Sequence, residues 1–196
     1  QEMSRGLGDV YKRQIEDSSV VQEVFLLDLK QGSLKPIGRT SNVPKDRLHK
    51  MVSKKFTTRD GESIYGYLTK PKGKVERLIV YIHGGPYGIR DFDSYDFSEQ
   101  YLASKGAAVL KVNYRGSGGY GTNFMEDAYK EWGGRLLNDI ADATQAVQKE
   151  LGIGREKTCA FGASYGGYAA LAMAYKYSEL YECCLLYTSP SPRDIS

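Results

Sequence analysis

The residue types best suited to chemistry in this chain surround one serine. Residues 161–168 read FGASYGGY, so Ser164 lies between Gly162 and Gly166 in a G-x-S-x-G pattern. In that pattern a strand turns sharply into a helix and presents the serine as a nucleophile. The flanking glycines are needed because the strained turn leaves no room for side chains. The alternative is a glycine-rich turn in which Ser164 only caps a helix.

Two parts of the sequence are suited to binding an oxyanion. The helix expected after Ser164 directs its first N–H groups towards developing negative charge, and the N–H of Tyr165 is one such donor. Upstream, residues 83–86 read HGGP at the end of an apolar run. Loops of this type supply a second oxyanion N–H in serine hydrolases, and glycines such as Gly84 let the backbone approach the substrate oxygen.

The general base that Ser164 would need is not evident. In hydrolases with this turn the acid and the histidine follow the serine along the chain. The two histidines here, His49 and His83, both precede it. We expect His83 to position the HGGP loop rather than to act as the base, and His49 to be solvated in a linker. The base and its acid partner are therefore expected outside these 196 residues.

The two ends of the chain are related to each other through their coding DNA. Residues 4–14 read SRGLGDVYKRQ, and residues 184–194 read CLLYTSPSPRD. A back-translation of the first, reverse-complemented and read one base in, encodes CLLYTSPSPR, and the DNA resembles a transposon-tagging sequencing adapter. We therefore expect residues 1–14 and 184–196 to be translated adapter, with the genuine protein spanning about 15–183. Natural disordered tails are the alternative.

The composition argues against several classes of function. The chain has 27 Lys and Arg against 24 Asp and Glu, and its net charge of +3 indicates neither nucleic acid nor an anionic membrane as a partner. No run of eighteen apolar residues predicts a membrane-spanning helix. Three cysteines and two histidines show no metal-binding spacing, so no metal or organic cofactor is expected. The lack of a disulfide framework favours a reducing compartment, the cytoplasm, although localisation stays open.

The order of the predicted elements indicates an α/β fold. Strand-like segments at 20–29 and 34–37 precede a hairpin around Asp60-Gly61, and from residue 77 strands and helices alternate as in a mostly parallel sheet. The predicted strands are RLIVYI, AAVLKVNY and KTCAFG. The first predicted helix buries a face of Phe97, Tyr101 and Leu102. The second buries a face made of Leu136, Ile140, Ala143, Val147 and Leu151, and a third helix follows Ser164.

Three motifs in this order carry a resemblance to a known family: YIHGGPYG, VNYRGSGGYGTNFMEDAYKEWGG and FGASYGGYAAL. Together they resemble the catalytic domain of the prolyl oligopeptidase family of serine peptidases, in the branch of the acylaminoacyl peptidases and dipeptidyl aminopeptidase-like enzymes. The resemblance implies an α/β-hydrolase fold, N-terminal part only, preceded by the terminal strands of a β-propeller. It also implies Ser164 as the nucleophile and Gly85 and Tyr165 as the donors of the oxyanion hole. The loop that contains Arg115 would lie near the active site and shape it.

The same resemblance divides the chain and implies its function. Residues 15–50 would be the end of the propeller and a linker, and residues 51–183 an incomplete catalytic domain. The parent protein would hydrolyse short peptides through an acyl-enzyme on Ser164, with a small peptide as its partner and its oligomeric state open. The chain itself would be inactive, because the catalytic Asp and His are missing. The alternatives are a carboxylesterase of the same fold and a non-catalytic hydrolase-like binding module.

Overall fold

An antiparallel sheet forms the first part of the chain in the computed structural model, which describes residues 6–7, 10–18, 20–39 and 41–187. Its four strands follow one another in sequence order, each paired with the next. The strands predicted at 20–29 and 34–37 are confirmed as its last two. The strands are β1 (Gly6–Leu7), β2 (Val10–Asp17), β3 (Val20–Asp28) and β4 (Ser33–Arg39).

The first two of these strands include residues that we expected to be adapter. Backbone pairing between strands requires no particular side chains, so β1 and β2 do not test that expectation. It stays a prediction, and residues 188–196 of the other expected adapter segment lie outside the described residues.

A mixed sheet of six strands forms the rest of the molecule, in the order β10-β9-β7-β8-β6-β5. Strands β5 and β6 make the predicted hairpin around Asp60-Gly61, and β6 runs antiparallel to β8. Strand β7 pairs parallel with both β8 and β9, and β9 pairs parallel with β10. The strands are β5 (Met51–Thr57), β6 (Ser63–Thr69), β7 (Arg77–Ile82), β8 (Ala107–Asn113), β9 (Thr158–Ala163) and β10 (Cys183–Tyr187).

Helices cover this sheet and complete its core. Every residue of β8 is buried, which is the pattern of a parallel strand covered on both faces. The predicted apolar stripe of α3 is confirmed. Gly152 directly follows the last residue of α3, and its φ of 63° is a left-handed conformation that glycine adopts readily. The helices are α1 (Phe97–Ser104), α2 (Thr122–Glu126), α3 (Arg135–Leu151) and α4 (Tyr165–Lys176).

The buried face of α1 is not the predicted one. Phe97 and Tyr101 are 70% and 54% exposed, whereas Glu99 and Gln100 are buried. The reason is a charge inside the sheet: Lys111 of β8 is buried, and its Nζ lies 2.7 Å from Oε2 of Glu99. A buried ammonium must be paired, so α1 turns its acidic residue inwards and leaves its aromatic residues outside.

The prediction that His49 is solvated is also wrong. His49 is 7% exposed, because the side chain of Gln100 binds its backbone. The His49 N–H donates to Gln100 Oε1 at 2.7 Å, and Gln100 Nε2 donates to the His49 carbonyl at 2.9 Å and to the Ser18 carbonyl at 3.1 Å. One glutamine thereby ties the turn after β2 and the segment before β5 to the helical layer.

A disulfide that the sequence did not suggest joins β9 to β10. Cys159 and Cys183 are directly opposite each other in the parallel register and are bonded. The expectation of a reducing compartment rested on the lack of a disulfide framework, so this pairing removes its basis. No helix within the described ranges is long and apolar enough to cross a membrane.

Candidate active site

Ser164 occupies the sharp turn between β9 and α4. Its backbone has φ 57° and ψ −126°, a conformation that side-chain-bearing residues avoid, and the residue is exposed. A residue held in such a conformation stores on the order of 1–3 kcal/mol of strain and is often found at functional sites. The turn therefore presents the Ser164 hydroxyl to solvent beyond the edge of the parallel strands.

The two glycines that flank Ser164 are there for steric reasons. A Cβ at Gly162 would lie within 3.0 Å of the Gly166 carbonyl, and a Cβ at Gly166 would lie equally close to the Ile82 carbonyl. Both obstacles are backbone atoms, which cannot move aside as a side chain can. The backbones of β7, β9 and α4 meet here too closely for any side chain, which explains the G-x-S-x-G spacing.

The strain at Ser164 leads to a test on the chain itself. We expect the free energy of unfolding of Ser164→Gly to be about 1 kcal/mol higher than that of Ser164→Ala, since glycine adopts a positive φ freely. Urea denaturation of the two variants measures this difference. At Gln145, which is exposed in the middle of α3, the glycine variant should instead be the less stable of the two, because glycine costs about 1 kcal/mol relative to alanine within a helix. A Ser164→Gly variant that is no more stable than Ser164→Ala would contradict a strained Ser164.

The HGGP loop passes beside Ser164. A Cβ built on Gly84 would lie 3.5 Å from the Cβ of Ser164, so the backbone at Gly84 faces the serine across a narrow gap. Gly85 has a φ of 120°, and its N–H has no acceptor among the described residues. Tyr165 is the first residue of α4, so its N–H has no partner within the helix. The structure thus places the two candidate oxyanion donors on the two segments that adjoin Ser164.

The hydrogen bonds of the His83 ring do not leave it available as the general base. Its Nδ1 lies 2.8 Å from the Gly84 carbonyl oxygen, and its Nε2 lies 3.0 Å from Oγ of Ser117. The ring stacks on Tyr114, with centroids 4.4 Å apart, and burial lowers the pKa of His83. Both ring nitrogens have partners other than Ser164, whose hydroxyl has no hydrogen-bond partner within the described part of the chain.

Arg115 anchors the loop after β8, and none of its hydrogen bonds is to Ser164. Its guanidinium donates to Asp139 of α3 and to Asp60 of the hairpin turn, each at 2.6 Å at the closest pair of atoms. Its backbone N–H also donates to Asp139 at 2.9 Å. Burial opposes the charge on Arg115, but these hydrogen bonds outweigh it and raise its pKa. The side chain therefore ties the loop after β8 to α3 and to the hairpin turn.

The loop after β8 packs directly on the HGGP loop. The Gly88 N–H donates to the Gly116 carbonyl at 2.9 Å, and the Gly118 N–H donates to the Ile89 carbonyl at 3.0 Å. A Cβ at Gly118 would collide with the backbone of Gly88, so only glycine permits this approach. The glycine-rich sequence therefore serves contact between two loops.

Aromatic side chains line the start of α4. Trp132 Nε1 donates to the Tyr87 hydroxyl at 2.7 Å, and the Tyr165 hydroxyl donates to the Trp132 carbonyl at 3.0 Å. The Trp132 ring also meets Tyr165 edge-on and lies near Tyr168. These contacts tie the segment before α3 to α4. Within the described ranges, no group of three His, Cys, Asp or Glu side chains is arranged to hold a metal ion.

Asp91 is a partly buried acidic residue that no sequence motif singled out. Its N–H donates to Asn113 Oδ1 at 2.8 Å, and its carbonyl accepts from Asn113 Nδ2 at 2.9 Å. Its own Oδ2 is buried without a partner among the described residues. Burial raises the pKa of Asp91 to about 6. The positive charge of Lys111 opposes this rise, and the negative charge of Asp96 adds to it.

This raised pKa predicts a pH-dependent effect of Asp91→Asn. The folded chain binds the proton of Asp91 more tightly than the unfolded chain does, so Asp91 costs stability as the pH rises from about 4 to about 6. We expect Asp91→Asn to be about 3 kcal/mol more stable than the wild type at pH 8 and equal to it at pH 4. Denaturation midpoints between pH 4 and 8 measure this. The exposed Asp127→Asn serves as the control, and a pH-independent effect of Asp91→Asn would contradict the assignment.

Comparison with known proteins agrees with this geometry. A sequence profile of the prolyl oligopeptidase family matches residues 93–190, half of the chain. Dipeptidyl aminopeptidase BIII of Pseudoxanthomonas mexicana is 34% identical over 146 residues, which cover 69% of this chain and 21% of that protein. The acylamino-acid-releasing enzyme of Arabidopsis thaliana is 37% identical over 113 residues, which cover 55% of this chain and 14% of that enzyme. The chain spans about a fifth or less of the length of these relatives.

Solved structures extend the similarity to the antiparallel sheet. A puromycin-hydrolyzing peptidase of Mycobacterium tuberculosis superposes with a TM-score of 0.80 at 25% identity, over 95% of this chain and 30% of that structure. Acylaminoacyl peptidase of Pyrococcus horikoshii superposes with a TM-score of 0.76 over 94% of this chain, and at 24% identity it bears on the fold alone. The predicted fold class, an α/β-hydrolase sheet preceded by propeller-type strands, is confirmed. The chain belongs to the prolyl oligopeptidase family.

Proposed function

We propose that the parent protein is a serine peptidase that cleaves short peptides through an acyl-enzyme on Ser164. The observation that carries this proposal is the strained, exposed Ser164 at the turn between strand and helix, with the glycine backbone of the HGGP loop beside it. The relatives named above are peptidases or release acylated amino acids by their names. Their substrates make aminoacyl and acyl-aminoacyl peptides the first class to test.

In the proposed mechanism each part of the site has a role. The Ser164 hydroxyl attacks the scissile carbonyl, and the carbonyl oxygen becomes an oxyanion in the tetrahedral intermediate. The N–H groups of Gly85 and Tyr165 donate to that oxyanion, and the N-terminus of α4 adds its positive end. The intermediate collapses to an ester on Ser164 and releases the amine, and water then hydrolyses the ester. His83 and Arg115 hold the two loops in place.

The proton on Ser164 has to be taken by a base that these residues do not supply. His83 is engaged on both nitrogens, and His49 precedes β5, an edge strand that three other strands separate from β9 in the sheet. In hydrolases with this turn the acid and the histidine follow the serine along the chain. We therefore propose that the parent protein carries both partners after residue 183 and that the chain as given is not competent.

The region after α4 is consistent with that proposal. Leu185 and Tyr187 of β10 are 65% and 71% exposed, although a strand beside β9 in a covered sheet would be buried. These residues belong to the segment that we interpret as translated adapter. In the parent protein a different apolar strand would then follow Cys183 and be covered by further helices.

The experiment begins with the source DNA, resequenced across codon 183 to obtain the complete reading frame. The complete protein is assayed on aminoacyl and acyl-aminoacyl anilides and on simple esters, and it is treated with a fluorophosphonate probe. We expect anilide hydrolysis and one label on Ser164 in the complete protein, and no label on the chain of 196 residues. Ester hydrolysis alone would indicate a carboxylesterase. A reading frame without a downstream histidine, and no label, would indicate a non-catalytic module and overturn the proposal.

A further inference from the structure

A buried serine connects the loop after β8 to the HGGP loop. Ser117 is fully buried, and its Oγ lies between two candidate acceptors, 2.7 Å from the Tyr114 carbonyl oxygen and 3.0 Å from Nε2 of His83. A serine hydroxyl has one proton to donate. The choice between the two acceptors decides which nitrogen of His83 carries its proton.

The neighbouring contacts favour one arrangement of protons. Nδ1 of His83 lies 2.8 Å from the Gly84 carbonyl oxygen, which has no proton to offer, so Nδ1 must be the protonated nitrogen. In a neutral imidazole Nε2 is then an acceptor, and burial favours the neutral form. The Tyr114 hydroxyl lies 3.2 Å from Nδ1 and 2.9 Å from the His83 carbonyl oxygen, and with Nδ1 protonated it donates to that carbonyl. The Tyr114 carbonyl oxygen accepts the Ser117 N–H at 3.0 Å and lies 2.7 Å from Oγ of Ser117, so the hydroxyl proton of Ser117 is shared between this oxygen and Nε2 in a three-centre hydrogen bond. Among the described residues, Ser117 is the one whose hydroxyl can donate to Nε2.

We propose that Ser117 is a positioning residue whose hydroxyl donates to Nε2 of His83 and so holds that ring as the Nδ1–H tautomer. The Nδ1–H then binds the Gly84 carbonyl and fixes the peptide unit between Gly84 and Gly85. Its other end is the Gly85 N–H, the proposed oxyanion donor. This last step rests on the proposed function, whereas the proton arrangement stands without it.

The arrangement differs from a purely structural role in an observable way. If Ser117 only capped the Tyr114 carbonyl, its Oγ would accept from Nε2–H, and Nδ1 would be the bare nitrogen facing the Gly84 carbonyl. The two cases therefore predict opposite tautomers of His83. Nitrogen-15 NMR of the imidazole ring distinguishes them, because a protonated and a bare ring nitrogen resonate in separate regions.

The first experiment is this spectrum of the full chain labelled with nitrogen-15 histidine. The chain has two histidines, so His49→Gln assigns the remaining signals to His83. We expect His83 to show a protonated Nδ1 and a bare, hydrogen-bonded Nε2. A protonated Nε2 with a bare Nδ1 would overturn the proposal, and so would two protonated nitrogens at neutral pH.

The second experiment removes the donor. In Ser117→Ala we expect Nδ1 to stay protonated while the Nε2 resonance moves to higher frequency, because a bare ring nitrogen loses its hydrogen bond. Ser104→Ala, which removes an exposed hydroxyl far from the ring, should leave both signals in place. If Ser117→Ala does not fold, Ser117→Cys replaces it: the thiol is a weak donor, and a partial shift in the same direction is expected. An unmoved Nε2 signal in the folded variant would overturn the proposal.

The third experiment separates this proposal from the proposed function. Loss of one oxyanion donor costs about 10²–10³ in kcat, so a displaced Gly85 N–H should cost about tenfold. In the complete enzyme we expect Ser117→Ala to lower kcat about tenfold with KM nearly unchanged, and Ser117→Cys to recover part of it. An active enzyme with unchanged kcat would overturn the positioning role. The expected tautomer in a protein that hydrolyses nothing would instead overturn the proposed function.

Discussion

Replacing Arg115 by methionine is expected to destabilise the chain by about 3–5 kcal/mol. The Arg115 side chain is 4% exposed and Asp139 is fully buried, so the substitution would leave the Asp139 carboxylate buried without a counter-charge. Breaking a buried ion pair from one side has a cost of this order, because the remaining charge is neither solvated nor paired. Asp139 would also lose two side-chain hydrogen bonds, at 3.0 and 2.6 Å, that no other residue supplies.

Urea denaturation of Arg115→Met at neutral pH measures this loss. The matched control is Lys70→Met, which removes the Lys70–Glu150 ion pair at the surface, where the two side chains are 47% and 35% exposed. Exposed pairs contribute about 0–1 kcal/mol. The double variant Arg115→Met with Asp139→Leu should recover much of the loss, since no unpaired charge then remains. Equal effects of Arg115→Met and Lys70→Met would contradict the interpretation of Arg115 as a buried brace.

The sheet and two of its helices were predictable because their apolar pattern directly reflects burial. The run AAVLKVNY gave β8, and the spacing of Leu136, Ile140 and Val147 gave the inner face of α3. The same reasoning failed for α1, where Glu99 faces inwards to meet Lys111. The signal was present in β8, because a lysine in the middle of a fully buried strand requires an acidic partner on the element that covers it.

The local geometry at Ser164 was predictable, and the contacts across the site were not. The G-x-S-x-G spacing predicted the turn, because glycine is required on both sides of the serine where a strand turns sharply into a helix. The partner of His83, by contrast, is Ser117, which is 34 positions away in the sequence. That contact depends on how two glycine-rich loops pack, and no periodicity reports it. The Cys159–Cys183 pairing depends likewise on the register of β9 against β10.

In the complete protein, Ser164→Ala is expected to lower kcat/KM for peptide anilides by at least about 10⁴-fold. Removing the hydroxyl removes the atom that would form the acyl-enzyme, and the remaining oxyanion donors sustain only a small residual rate above that in water. KM should change little, because the substrate contacts other than the attacking atom are retained. Steady-state kinetics with an aminoacyl anilide measures both parameters, and Ser104→Ala is the control for loss of an exposed hydroxyl.

The stability of the same variants tests whether the loss of rate has the proposed cause. A fold-wide defect would lower the rate and the unfolding free energy together. The strained backbone at Ser164 predicts the opposite for Ser164→Gly, which should be inactive and yet more stable than Ser164→Ala, because glycine relieves the positive φ. A glycine variant that is inactive and yet more stable than Ser164→Ala would show that the catalytic position holds a strained backbone. A variant that retains more than about a hundredth of the activity would show that Ser164 is not the nucleophile.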